Sequence, residues 1–233
     1  MRWARLGFVS ALLLVLSMSS FATTCPSPSD LGDFVVATYG DRIEFDVLRN
    51  GKTIGEHITT FDVGADGIRV ESRMQLGITV FYIPVYRFSY ESRSRWCGDR
   101  LRELEAEVSD NGEISKTAVA TTGEALKIER NGIVVEGPAD LIPTDHWNPE
   151  VLARKAVLNT ITGRLNTVTI ERCITGSDLI EGAAPQGQCY EYAGDLQTRV
   201  WYDPAGRWVG LEFVASDGSS ISYVCRVCRS KPI

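Results

Sequence analysis

The sequence predicts an all-β fold, mainly antiparallel, in which a curled or spiral sheet forms an incomplete β-barrel with one short helix. From Asp41 to Tyr90, apolar and polar residues alternate with the period of two that is typical of strands with one buried face. Short Asn-Gly or Asp-Gly pairs separate the apolar runs, and these residues accept the positive φ angles of tight hairpin turns. The turn pairs are Asn50-Gly51, Asp66-Gly67, Asn111-Gly112, Asn131-Gly132 and Asp217-Gly218. A chain so rich in hairpins must close or cover its sheet edges, which favours a curled barrel.

The first residues have the pattern of a secretory signal peptide. Arg2 and Arg5 precede an apolar run from Leu6 to Met18, and small residues follow up to Ala22, the expected cleavage site. The run is too short to span a bilayer comfortably, so we expect no transmembrane segment after cleavage. The chain is therefore divided into a signal peptide (1–22), a lead-in segment (23–40), a single β-barrel domain (41–229) and a tail (230–233).

The acidic balance of the chain restricts its partners. The formal net charge is −6, and removal of the signal peptide, which contains Arg2 and Arg5 but no acidic residue, makes the mature chain more acidic still. Nucleic acid and anionic lipid surfaces repel such a protein, so neither is expected as a partner.

An aromatic stripe precedes Tyr90. Tyr82, Tyr86, Phe88 and Tyr90 have the same parity and so share one face over most of a strand. They are candidates for lining a pocket for an acyl chain, although such stripes are more often plain core. Pro84 has no N–H to donate to a ladder, and it therefore marks an edge position or a bulge.

The later segments continue the meander and contain the predicted helix. Leu101 to Val108 fits a bent strand because it lies between turns. Asn148-Pro149 provides an N-cap and a preorganised first turn, and Gly163 ends the predicted helix, whose apolar residues are expected to plug one end of the barrel. A strand, a cysteine-flanked loop and two hairpins complete the domain.

Six cysteines in an exported chain are most simply interpreted as disulfides. A bridge from Cys173 to Cys189 would close a loop rich in Gly and Pro and contribute about 3 kcal/mol in the loop-entropy model. The remaining four, Cys25, Cys97, Cys225 and Cys228, allow three connectivities, and we expect Cys97 to pair with one of the terminal cysteines. Lipidation of Cys25 is disfavoured, because a β-branched Thr directly precedes it.

Cys225 and Cys228 also have the CxxC spacing of redox and zinc sites. A redox dithiol gains its low thiol pKa at a helix N-terminus, whereas this pair ends a strand. Zinc held together with Cys173 and Cys189 is a second alternative, since four thiolates suffice. An oxidising compartment favours structural disulfides, and we expect neither a metal nor a cofactor.

Two histidines, His57 and His146, are the candidates for general acid/base chemistry. His146 belongs to the polar group Asp145-His146-Trp147, just before the predicted helix. Neither a nucleophile-elbow motif nor a zinc-binding His pair accompanies it, which favours a surface or capping role. His57 lies within a strand beside Glu56. We therefore predict no catalytic residue.

Several short strings resemble a family of exported bacterial proteins that is catalogued only as a domain of unknown function. The strings are Phe45-Asp46-Val47-Leu48-Arg49-Asn50-Gly51-Lys52-Thr53-Ile54-Gly55, Pro84-Val85-Tyr86-Arg87-Phe88, Trp147-Asn148-Pro149, Leu158-Asn159-Thr160 and Trp201-Tyr202-Asp203. More distantly, the chain is similar to spiral β-barrel proteins of the cell envelope, and in shape to periplasmic carriers that hold lipoprotein acyl chains in a half-barrel. The resemblance implies a spiral or incomplete antiparallel barrel and an envelope role, and it carries over no catalytic residue.

The sequence thus favours a non-enzymatic protein of the periplasm of a Gram-negative bacterium. We expect it to act by binding an envelope protein or by helping to maintain the cell envelope. The alternative is a carrier of a lipid or other hydrophobic ligand in the barrel interior. A hydrolase that uses His146 is the third hypothesis.

Overall fold

A computed structural model describes residues 25, 30–174 and 187–228; the expected signal peptide and tail lie outside them. The described residues form one 15-stranded sheet, mostly antiparallel and not closed into a barrel, which confirms the predicted fold class. The strands are β1 Arg42–Arg49, β2 Lys52–Gly64, β3 Gly67–Val80, β4 Ile83–Cys97, β5 Arg100–Asp110, β6 Glu113–Thr122, β7 Ala125–Arg130, β8 Ile133–Pro138, β9 Ile142–Pro143, β10 Ala156–Asn159, β11 Arg164–Arg172, β12 Gln188–Gly194, β13 Thr198–Tyr202, β14 Trp208–Val214 and β15 Ser220–Val227.

The sheet consists of two meanders that meet in its middle. Strands β1 to β8 follow one another outwards to one edge, and β15 back to β9 lead to the other. The two halves join where β1 pairs with β15, with Phe45 opposite Cys225 and Val47 opposite Tyr223. The edges of the sheet are therefore β8 and β9, and β9 pairs with β10 in parallel.

The Asn-Gly pairs form the predicted turns. Asn50, Asn111 and Asn131 have φ angles of 48°, 49° and 47°, and the following glycines also have positive φ. Successive strands of a meander alternate in direction, so these turns all lie at one end of the sheet, which we call the hairpin end. The bulge anticipated near Pro84 is present, because the β3–β4 register shifts between Ile78 and Thr79.

The main helix is not where the sequence predicted it. Helix α1 covers Asp30–Thr38 in the lead-in segment, for which the sequence predicted no helix. Leu31, Phe34 and Val35 form its apolar stripe, and Gly40, with a φ of 70°, ends it. The helix predicted from Asn148 is only a 3₁₀ helix, Pro149–Ala153, although the Asn148 side chain caps it by accepting from the Glu150 N–H.

The two helices cover the end of the sheet opposite the hairpin end. Phe34 of α1 lies near Gly206 in the β13–β14 turn, and Arg207 donates to the carbonyl of Thr38. The Tyr39 hydroxyl donates to the Trp147 carbonyl at 2.8 Å and accepts from the Trp208 N–H at 3.0 Å. One phenol therefore joins the helix, the segment before the 3₁₀ helix and β14.

Three disulfides are present in the described residues, namely Cys25–Cys97, Cys173–Cys189 and Cys225–Cys228. The loop bridge from Cys173 to Cys189 is as predicted, and Cys97 pairs with Cys25. The CxxC pair is oxidised at the end of β15. Three bridges in one chain indicate an oxidising, exported environment.

The helices that the structure describes are too short or too polar to cross a membrane.

Candidate functional site

Asp145, His146 and Trp147 lie in the core rather than on the surface. All three side chains are buried, although the sequence favoured a surface or capping position for His146. His146 has a φ of 60°, in the left-handed region that non-glycine residues rarely adopt. This backbone conformation turns the chain sharply between β9 and the 3₁₀ helix, and it places successive side chains in different parts of the interior.

Asp145 is held by two hydroxyl groups. The Tyr90 hydroxyl donates to its Oδ1 at 3.4 Å and to the Thr160 Oγ1 at 2.9 Å, while the Thr160 hydroxyl donates to the same carboxylate oxygen at 3.3 Å. Tyr90 comes from β4 and Thr160 follows β10, so the contact links the two halves of the sheet. Burial is the largest cause that raises the pKa of Asp145, to about 6.

His146 is enclosed by aromatic side chains. Its ring lies 5.6 Å from the Tyr192 ring and 5.5 Å from the Trp208 ring, measured between centroids. Its Nδ1 is 3.5 Å from the Tyr192 hydroxyl, and its carbonyl accepts from the Tyr202 hydroxyl at 2.9 Å. Burial lowers the pKa of His146 to about 3, with a smaller contribution from His57. The imidazole is therefore neutral and shielded from water at neutral pH.

His57 is a second buried histidine, and its ring, like that of His146, packs against Trp208. We call the two histidines, Asp145 and the aromatic rings around them the buried cluster. Its ring packs edge-on against the rings of Tyr90, Trp208 and Tyr223 at centroid distances of 5.7–6.4 Å. Neither ring nitrogen has a hydrogen-bond partner among the described residues. Burial lowers the pKa of His57 to about 4. Because both histidines resist protonation in the fold, their contribution to stability is full above their ordinary pKa of 6.5. It is lost as the pH falls through about 4 for His57 and about 3 for His146.

The opposite sign applies to Asp145, and it gives a testable prediction. A raised pKa means that the folded protein prefers the protonated carboxyl, so this preference stabilises the fold below pH 3.8 and is lost as the pH rises through about 6. Asp145→Asn keeps the acceptor oxygen and removes the buried charge. We expect the variant to be more stable than wild type by about 2–3 kcal/mol at pH 8, with the difference largely gone at pH 4.

Urea unfolding at the two pH values checks this prediction. Equal stability at pH 8 would show that the carboxylate is compensated by groups other than Tyr90 and Thr160. The exposed Asp99→Asn provides the control, since removing an exposed charge should change stability little at either pH.

The aromatic stripe does not share one environment. Tyr90 is buried in the cluster, Tyr86 and Phe88 are half-buried, and Tyr82 is fully exposed at 100%. The reason is that β3 and β4 are longer than their neighbours. The pairing of β2 with β3 ends at Leu76, and that of β4 with β5 ends at Phe88. Residues 77–86 therefore extend from the sheet as a two-stranded projection, which we call the β-arm.

The free edge of β8 is a second exposed apolar feature. Ile133, Val134 and Val135 are exposed by 68%, 47% and 44%, and β8 pairs only with β7. In an antiparallel ladder, each residue bonds alternately to one side and the other. The Asn131 N–H donates to the Lys116 carbonyl of β6, and Arg130 is opposite Ile133 across the turn. By this alternation, the backbone N–H and carbonyl of Ile133 face β7, and those of Val134 point away from the sheet.

A concavity of about 1030 Å³ lies on the solvent face of β2 to β7, and most of its charged side chains pair with one another. Cross-strand ion pairs join Arg73 to Glu91 and Lys116 to Glu107, at 3.6 and 2.8 Å. Such exposed pairs contribute little to stability. None of the candidate site residues named from the sequence lines this concavity, although the turn residues Asn131 and Gly132 do.

Sequence reasoning found Asp145, His146 and Trp147 but missed the residues around them. Tyr192 and Tyr202 lie on strands whose alternation places them inside, yet nothing in the sequence pairs them with His146. His57 carried a usable signal, because it has the same strand parity as the buried Thr59 and Phe61. That parity predicts an inward side chain, and only the fold brings it to the Trp208 ring.

Comparison with known proteins gives a family but no activity. No curated protein and no solved structure matches the chain significantly. The model of a domain of unknown function, DUF6134, matches residues 45–226. This match covers the sheet from β1 almost to the end of β15 and includes the buried cluster, the β-arm and the β8 edge. The chain therefore belongs to the DUF6134 family.

Proposed function

We propose that this protein is a non-enzymatic component of the cell envelope, in the periplasm of a Gram-negative bacterium, that binds a protein partner along the free edge of β8. The observation that carries the proposal is the row of exposed apolar residues on that edge, Ile133 to Val135. Unpaired strand edges bind extended segments of other proteins by adding a strand to the sheet. The three disulfides support an extracytoplasmic location.

The buried cluster supports a structural role rather than catalysis or transport. His146 is enclosed by rings and has a lowered pKa, so a substrate reaches it only if the core opens. The rings of Phe45, His57, Trp208 and Tyr223 lie 4.2–6.1 Å apart, and they occupy the space in which a carrier would hold an acyl chain. We therefore place binding on the surface.

The proposal predicts that Val134→Pro weakens partner binding by about tenfold or more, because proline removes the outward N–H. That N–H does not bond to β7, so the fold should survive the change. Val134→Thr is the matched control: it keeps the backbone donor and the β-branched shape. Strand addition requires Thr to retain binding, whereas equal loss in both variants would show that the valine side chain, not the edge, is recognised.

The partner is found by site-specific photo-crosslinking in the periplasm of an expressing bacterium. A photoreactive residue at Val135, exposed by 44%, should give a discrete crosslinked species that is absent from the Val134→Pro background. Val224, exposed by 43% within the paired strand β15, is the control position and should give none. A crosslink only to a second copy of the chain would overturn the proposal of a different partner. Unchanged detergent sensitivity after gene deletion would remove the envelope role.

A further inference from the structure

The tip of the β-arm is apolar and exposed. Every residue from Gly77 to Tyr86 is uncharged. Phe81, Tyr82 and Ile83 are exposed by 91%, 100% and 65%, and Val80 and Val85 on either side are also exposed. A contiguous apolar surface of this kind on a soluble domain marks an interaction site.

The turn at the tip differs from the other turns at the hairpin end. Phe81 and Tyr82 have φ angles of 48° and 66°, the positive values that Asn and Gly adopt at Asn50-Gly51 and Asn111-Gly112. Bulky side chains are unfavourable in this conformation, and such strain concentrates at functional sites. Two aromatic residues therefore form a turn that elsewhere in the chain is formed by Asn-Gly, the pair that adopts these φ angles with the least strain. The placement directs both rings away from the sheet.

The geometry of the β-arm suits insertion into a lipid surface better than docking into a protein groove. Four residues on each strand, at about 3.3 Å per residue, give a reach of about 13 Å beyond the last residues that pair with β2 and β5. Interfacial segments bury their apolar faces about 5–10 Å into the boundary between headgroups and acyl chains. The tip can therefore enter that layer before the body of the sheet meets the surface. A phenol such as that of Tyr82 has an apolar ring and a polar hydroxyl, which suits the headgroup level.

The charges around the β-arm select the kind of lipid. The chain has a formal net charge of −6, and Asp110 hydrogen-bonds with Tyr86 at the base of the arm. Arg87 lies nearby, so neither sign dominates at the base. An acidic protein with an uncharged tip is repelled by anionic lipid but not by zwitterionic headgroups.

From the reach, apolarity and strained aromatic turn of the β-arm, we infer that residues 80–85 insert into the interfacial layer of a bilayer of zwitterionic phospholipids. This membrane contact is separate from the proposed protein contact at β8. The arm is at the β3–β4 turn, and β8 is at the edge of the sheet.

Flotation of the folded protein with vesicles of phosphatidylcholine and phosphatidylethanolamine tests this inference. The wild type should float with the vesicles, and Phe81→Asn combined with Tyr82→Gly should reduce the partition by about tenfold or more. That double variant installs the Asn-Gly turn used elsewhere in the chain, so it should fold at least as stably as wild type. Loss of binding without loss of stability separates insertion from misfolding.

A matched pair of single variants gives the control. Ile83→Ser and Ile133→Ser remove the same side chain from positions exposed by 65% and 68%, on the β-arm and on β8. Only Ile83→Ser should weaken vesicle binding. Failure of the wild type to bind, equal loss in both variants, or a requirement for anionic lipid would overturn the inference. Photo-crosslinking at Val135 is unaffected by any of these outcomes, so the two proposals fail separately.

Depth of insertion provides an independent readout. Trp96, Trp147, Trp201 and Trp208 are buried, so lipids with brominated acyl chains should barely quench their fluorescence. The indole introduced by Tyr82→Trp is expected to be quenched on vesicle binding. Binding without such quenching would place the contact elsewhere on the protein.

Discussion

Replacing Trp208 by Ala is expected to lower the free energy of unfolding by about 3–5 kcal/mol. The Trp208 ring is 1% exposed and lies 4.2 Å from the Phe45 ring, between centroids. It also contacts both buried histidines and Tyr223, and its indole N–H donates to the Gly210 carbonyl at 2.8 Å. Truncation leaves a large cavity at the point where the rings from several strands meet. Urea unfolding followed by far-UV circular dichroism measures the loss.

Trp208→Phe is the control for this prediction. Phenylalanine keeps a ring against Phe45 but loses the indole N–H, so it should recover part of the stability lost in the alanine variant. If alanine and phenylalanine cost the same, the hydrogen bond to Gly210, not the packing, would be the main contribution of Trp208.

The second large effect is expected from the disulfide between Cys25 and Cys97. The two cysteines are 72 residues apart in the sequence. In the loop-entropy model, opening a ring of this size by replacing both cysteines with serine costs about 4 kcal/mol. The bridge also fixes Cys25, which precedes α1 in the chain, to the end of β4. Its loss should therefore weaken the packing of α1 over this end of the sheet.

The CxxC bridge provides the comparison within the same chain. Cys225 and Cys228 are only 3 residues apart, and the same model gives about 2 kcal/mol for their ring. Serine replacement of each pair, with unfolding measured under non-reducing conditions, should therefore rank the two bridges in that order. The reverse order would mean that the CxxC bridge supports packing at the end of β15 beyond its ring entropy.

The strands were predictable because their causes are local. Alternation at Ile43, Phe45 and Val47 and the Asn-Gly turns act over a few residues, so the sequence alone indicates hairpins and their register. The pairing that joins the two halves of the sheet was less accessible from the sequence. Pairing of β1 with β15 depends on contacts between residues far apart in the sequence, for which local patterns provide no partner.

The misplaced helix shows how spacing misleads in short segments. Val151, Leu152, Lys155 and Ala156 fit a helical period, but Val157 and Leu158 are buried through pairing with β11. Sheet pairing therefore overrides the local preference after one turn. Helix α1 has clear local signals in the sequence: Asp30 and Asp33 lie in its first turn, and Gly40 follows its end.

The candidate surfaces were visible in the sequence only in part. The aromatic stripe was predicted, but strand parity only assigns Tyr82 and Tyr90 to one face. It does not show that β3 and β4 continue past their pairing with β2 and β5. This extension is the reason that Tyr82 is exposed and Tyr90 is buried. The β8 edge was equally hidden, because Ile133 to Val135 have the composition of a core strand.

The meeting of β1 and β15 in the middle of the sheet has a consequence for the order of folding. The meander from β1 to β8 can assemble as the chain emerges, since each strand follows its partner directly. The central seam must wait, because β2 to β14 lie between β1 and β15 in the chain, and contacts between distant parts of a chain form slowly. The complete sheet can therefore form only after every strand between β1 and β15 has been made.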